Sequence, residues 1–105
     1  MLNIYEVSLS LVEDLNPLLD KLERRNAKLY DQLERALSSV VLNIAEGCGQ
    51  YAGHRRERYR TALGSAREVR AIHDYVTRRK LHAPLSAEAL DKLARIIGTL
   101  VKLTR

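Results

Sequence analysis

The sequence predicts an all-α fold, an antiparallel up-down-up-down four-helix bundle, on three observations. Apolar residues recur at three- and four-residue steps through most of the 105 positions. Two prolines and five glycines are too few to punctuate a succession of short strands. Hydrophobic residues make up 46% of the chain but aromatics only 5%, all of them tyrosine. A core of Leu, Val, Ile and Ala suits helix packing better than a cofactor pocket. The length fits one domain, residues 1–105, with one core and little more.

Each helix has its own pattern. Residues 2–22 carry Ile4, Tyr5, Leu11, Val12, Leu15, Leu18, Leu19 and Leu22 as one apolar stripe. Asn16-Pro17 interrupts it, predicting one kinked helix, with a fresh start at Pro17 as the alternative. Arg24-Arg25-Asn26 is the only polar cluster before the second helix, and Asn26 is the residue there suited to a left-handed cap. The second helix spans about 27–46, with Leu29, Leu33, Ala36, Leu37, Val40 and Ile44 on one face. Gly47-Cys48-Gly49 should end it through glycine's tolerance of positive φ.

The third helix begins near Gly53 or His54 and reaches about Lys80. Its inward face is Tyr59, Ala62, Leu63, Ala66, Val69, His73 and Val76. Ala83-Pro84 makes the next break. Ser86 is a suitable N-cap for the fourth helix, with Glu88 well placed in its first turn. Leu90, Leu93, Ala94, Ile97, Leu100 and Val101 form its expected seam. Val41, Leu42, Ile96 and Leu103 are apolar side chains outside a narrow seam.

The formal net charge of +5 is unevenly placed. Residues 55–80 hold nine Lys/Arg (Arg55, Arg56, Arg58, Arg60, Arg67, Arg70, Arg78, Arg79, Lys80) against Glu57, Glu68 and Asp74, a balance of +6. On a helix, Arg56, Arg60, Arg67 and Arg78 share a narrow sector. Such a stripe can pair with successive phosphates, because each guanidinium is permanently charged and forks toward two oxygens. Arg55, Arg58, Arg79 and Lys80 widen the candidate nucleic-acid surface. Tyr51 and Tyr59 would add stacking to a single strand. The competing readings are a solvated face, or arginines paired with acids of neighbouring helices.

Gln32, Arg35, Ser39, Asn43 and Glu46 form a polar stripe on the second helix. It fits solvent, a contact with another subunit, or a small-ligand site. A structural role is favoured: Asn43 would satisfy backbone groups near the glycine turn, and Glu46 would pair with an arginine of the next helix.

These residues resemble a known family. Gln32 to Ala36, Ser39 through Asn43-Ile-Ala-Glu46-Gly47, and Ala62-Leu-Gly64-Ser65 with Glu68 are similar to bacterial four-helix-bundle proteins first noticed within intervening sequences of 23S ribosomal RNA genes. The motifs cover residues 27–80, and the remainder matches by helix pattern. The resemblance implies a homopentamer shaped like a short barrel. It also implies kinship with the accessory variability determinant of diversity-generating retroelements, a basic pentamer that binds nucleic acid and a reverse transcriptase. Gln32, Arg35, Ser39, Asn43, Glu46, Gly47, Gly64, Ser65 and Glu68 are then signature residues for packing or subunit contact. The chain departs from the family in lacking a proline between the first two helices, and in having Cys48-Gly49-Gln50 where an aromatic and Gly-Arg are usual.

Catalytic patterns find no support in the spacing. Cys48 sits at a helix C-terminus, where the dipole disfavours a thiolate. His54, His73 and His82 have no metal-binding spacing, and His73 reads as a hydrogen-bonded core residue. Gly64-Ser65 lies inside a helical pattern, unlike a phosphate loop, and Gly64 should permit close helix contact. No enzyme, cofactor or metal is expected. A single cysteine, no signal-peptide pattern and no long apolar run predict a cytoplasmic protein. The expected function is a non-enzymatic homo-oligomer whose basic surface meets RNA, DNA or a nucleic-acid-handling protein. The alternative is a protein-interaction scaffold that binds no nucleic acid.

Overall fold

In the computed structural model, which describes residues 3–49 and 52–105, four helices and no strands are present among the described residues. They are α1 (Asn3–Arg25), α2 (Ala27–Gly49), α3 (Ala52–Arg78) and α4 (Ala87–Leu103). Each helix packs on its chain neighbours and α4 closes against α1, while the diagonal pairs do not meet. Pairs such as Gly47 with Tyr59 and Ser39 with Ser65 show α2 and α3 running antiparallel. Arg56, near the start of α3, meets Thr104 beyond the end of α4.

The core is aliphatic, as the composition requires. Leu11, Leu15, Leu18, Leu33, Ile44, Leu93, Ile96 and Leu100 are its largest fully buried side chains. Tyr59 is the one aromatic in the buried core among the described residues. Lys92 fastens α4 to α1, its Nζ lying 2.8 Å from both Asp14 Oδ2 and Ser10 Oγ. The hydrogen bond to Asp14 holds the Lys92 ammonium above the usual lysine range.

Some boundaries agree with expectation and others differ. α1 passes through Pro17 as one helix, as expected, with no fresh start there. Pro17 is exposed, so the carbonyl deprived of its intrahelical partner can turn to water. Asn26 is not a left-handed cap: Lys80 is the only non-glycine residue with positive φ among the described residues. Asn26 instead caps α2 as its first residue would, its Oδ1 accepting from Leu29 N at 3.1 Å.

The glycines near residue 47 do not end α2 by positive φ either, since no described glycine has one. Gly47 is buried inside the helix, and a Cβ there would fall on the Tyr59 ring. Gly47 is needed for close approach. The α3 C-terminus is closed by Lys80 at φ 60, with Lys80 N donating to Thr77 O and Leu81 N to Val76 O, both at 3.0 Å. This is the double-bonded helix stop usually supplied with glycine.

Ser86 caps α4 as expected, its side chain accepting from Ala89 N. The seam of α4 is rotated from the expected one. Ala89, Leu93, Ile96 and Leu100 are buried, whereas Ala94 is exposed and Leu90, Ile97 and Val101 are half-buried. Ile96 is therefore core, not a spare surface residue. On α3, Ile72 joins the core and Leu63 is only half-buried.

Candidate nucleic-acid interface

The α3 surface sorts the predicted arginines into two groups. Four of the chain's arginines serve the bundle. Arg55 Nε donates to Gly47 O at 3.1 Å. Arg56 Nη2 donates to Thr104 O at 3.0 Å, placing a cation at the C-terminus of α4, where the helix dipole favours it. Arg58 pairs with Glu46 at 3.3 Å, and Arg70 with Asp74 at 3.2 Å.

The second group is Arg60, Arg67, Arg78, Arg79 and Lys80. All are exposed, and none joins an ion pair among the described residues. Arg60, Arg67 and Arg78 lie on one side of α3. At 1.5 Å per residue they span about 27 Å of helix. Pairing with bundle acids therefore leaves much of the stripe unused.

Stacking by Tyr59 is excluded, because the ring is only 2% exposed. Its hydroxyl donates to Cys48 Sγ at 3.8 Å. Burial, followed by that hydrogen bond, pushes Tyr59 up to about 12. Tyr51 lies outside the described residues. The exposed aromatic on α3 that the sequence reading missed is Tyr75, 52% exposed. Its position three residues before Arg78 on a helix could have singled it out.

The signature residues gather between α2 and α3. Gln32, Arg35, Ser39, Ser65 and Glu68, with Ala36, line one polar cleft. Ser65 donates to Ser39 Oγ at 2.7 Å across the two helices. Asn43 Nδ2 donates to Ser39 O at 2.9 Å and to Ser39 Oγ at 3.1 Å. Asn43 thus braces the cleft within α2 instead of serving the glycine segment. Glu46 pairs with Arg58, outside the cleft lining. Gly64 stands apart: it is exposed, and nothing lies within 4 Å of where its Cβ would be, so it permits no close helix contact within this chain.

Beside the polar cleft runs an apolar groove formed by Leu29, Ala71, Ile72 and Tyr75. A second groove, between α1 and α2, includes Leu9, Val12, Leu19, Val41 and Leu42. Leu42 is 63% exposed and Leu103 38%.

His73 is a satisfied core residue. Its Nε2 accepts from Leu85 N at 3.2 Å, so Nδ1 carries the proton directed at Asp74 Oδ1, 3.0 Å away. That hydrogen bond, and then Arg70, hold the Asp74 carboxyl below its usual range. Among the described residues no group of three His, Cys, Asp or Glu could hold a metal ion, and no helix is long and apolar enough to cross a membrane.

The fold and site together define a four-helix bundle with a polar inter-helix signature and a one-sided arginine surface. The chain belongs to the family described as 23S rRNA-intervening sequence protein, whose model matches residues 1–103. No curated protein and no solved structure matches it.

Proposed function

We propose that this protein is a non-enzymatic nucleic-acid-binding accessory protein that acts as a homo-oligomer. The observation that carries the reading is the row of exposed, unpaired Arg60, Arg67 and Arg78 on one side of α3, continued by Arg79 and Lys80. Guanidiniums without internal acid partners are available to phosphate oxygens, and nearly all affinity of such a surface comes from counterion release. The family, defined by proteins of rRNA intervening sequences, supports the same class of partner. The resemblance to retroelement accessory proteins adds a reverse transcriptase as a protein partner, and the single cysteine fits the reducing cytoplasm as the site of action.

Assembly is supported by the two apolar grooves and by the exposed Leu42 and Tyr75. The resemblance makes the oligomer a pentamer, with the signature cleft and Gly64 at or near subunit contacts. Light scattering at micromolar concentration should give a mass several times 12.0 kDa. A monomer under those conditions contradicts the assembly.

Binding is tested by charge reversal. Arg60→Glu with Arg67→Glu should abolish a low-salt mobility shift of RNA or DNA duplex while leaving the melting temperature nearly unchanged. Arg56 is avoided because it holds the end of α4. Absence of a shift by the wild-type protein would leave a protein-interaction scaffold as the function.

A further inference from the structure

The α1–α2 turn and the α3–α4 turn meet at one end of the bundle, bringing together charge from two distant parts of the chain. Lys21, Arg25 and Lys80 line a cleft there, with Leu22, Asn26 and Leu81 completing it. No acid lines the cleft, and none of the three cations joins an ion pair among the described residues. Lys21 and Arg25 stand one turn apart on α1, a like-charge pair that weakens the helix unless an anion offsets it. Arg24, Lys28, Arg78 and Arg79 are exposed on the same two connecting regions.

Basic residues often occupy the last turn of a helix because the dipole favours them there. That accounts for Arg24 and Arg25 on α1 and for Arg78 on α3. It does not account for Lys21, a turn upstream, or for Lys80, beyond the end of α3, sharing one cleft with Arg25. Lys80 also holds φ 60, a conformation costly for a residue with a side chain.

We propose that this cleft is a phosphate-binding site, seating a phosphodiester of a nucleic acid that passes from the α3 stripe over the end of the bundle. The proposal rests on the nucleic-acid reading above and extends the path from α3 onto α1. The cleft volume of about 190 Å³ is below the roughly 300–1,000 Å³ of small-molecule pockets, so it receives a group and not a whole ligand. Arg25 offers a fork to two phosphate oxygens, and Lys21 and Lys80 add point charges. Asn26 Oδ1 is already used by Leu29 N, which leaves its Nδ2 to donate.

The test measures anisotropy of labelled RNA and DNA duplexes against the wild type, Lys21→Gln with Arg25→Gln, Lys80→Gly, and the Arg60→Glu, Arg67→Glu stripe variant. The Lys21/Arg25 variant should bind about tenfold or more weakly at low salt. Its plot of log affinity against log salt should be shallower by about 1, the loss of the one phosphate seated in the cleft. Lys80→Gly should weaken binding while raising the melting temperature, since glycine relieves the left-handed residue. Arg25→Gln alone, at an exposed side chain outside the α3 surface, decides the matter should the double substitution impair folding. Wild-type affinity and slope in both cleft variants, with binding lost in the stripe variant, overturns the cleft alone. Failure of the wild type to bind overturns both this proposal and the reading on which it rests.

Discussion

At Gly47 a missing side chain decides the packing of two helices. The Tyr59 ring occupies the space where a Cβ would stand, and that ring is buried and cannot swing aside. Gly47→Ala should therefore destabilise by about 1–2 kcal/mol, overpacking exceeding the gain in helix propensity. Gly98, exposed in α4 with open space around it, should behave oppositely, Gly98→Ala stabilising by about 1 kcal/mol. Urea denaturation separates the two, and equal stabilisation would contradict the contact. Tyr59 itself gives a pH signature. It ionises near 10.0 when unfolded and only at about 12 in the fold, so its contribution is complete below pH 10 and lost as pH rises toward 12. The loss should approach roughly 2–3 kcal/mol. Tyr59→Phe should remove that part of the alkaline decline in denaturation midpoint, and an unchanged decline would rule the residue out.

Among the elements, α1 carries the plainest liability. Pro17 sits in its interior, exposed and without a packing role, where proline costs about 3 kcal/mol relative to alanine. Pro17→Ala should raise the melting temperature, by about 1–3 kcal/mol of stability. A fall would mean that α1 needs a bend there to pack. Helix identity was legible because apolar periodicity persists across 20 or so residues, and Ser86 signalled its cap directly. The phase of α4 was not legible. Apolar residues lie around most of its circumference, so two adjacent stripes satisfy the same period. The choice between them coincides with Lys92 reaching Asp14 on α1, a contact no local pattern shows. Asn26 was recognised as a boundary but given the wrong cap, since asparagine serves either end of a helix. Gly47 was misread for a related reason: a glycine needed for close approach looks in sequence like one needed for a turn.

At the scale of the whole molecule, charge is divided by fold as well as by sequence. The first two helices, residues 3–49, hold eight acids and five bases, while residues 52–105 hold five acids and thirteen bases. Four of the five bases on the acidic half (Lys21, Arg24, Arg25, Lys28) cluster at the α1–α2 turn. Folding sets that cluster beside Lys80. Counting charge along the chain finds the α3 stripe but not this junction, because its members are more than fifty residues apart. The same limit hid which arginines are occupied. Arg56 and Arg58 share the composition of the stripe, yet one holds a helix end and the other a glutamate.

Engagement of phosphates by the exposed cations of α3 is read from a salt titration of duplex binding. Log affinity against log salt should fall linearly with a slope of about −3 or steeper, since each phosphate contact on a duplex contributes about −0.9. Charge reversal at Arg60 and Arg67 should abolish the binding. A slope near zero, or affinity unchanged by that reversal, would contradict the account.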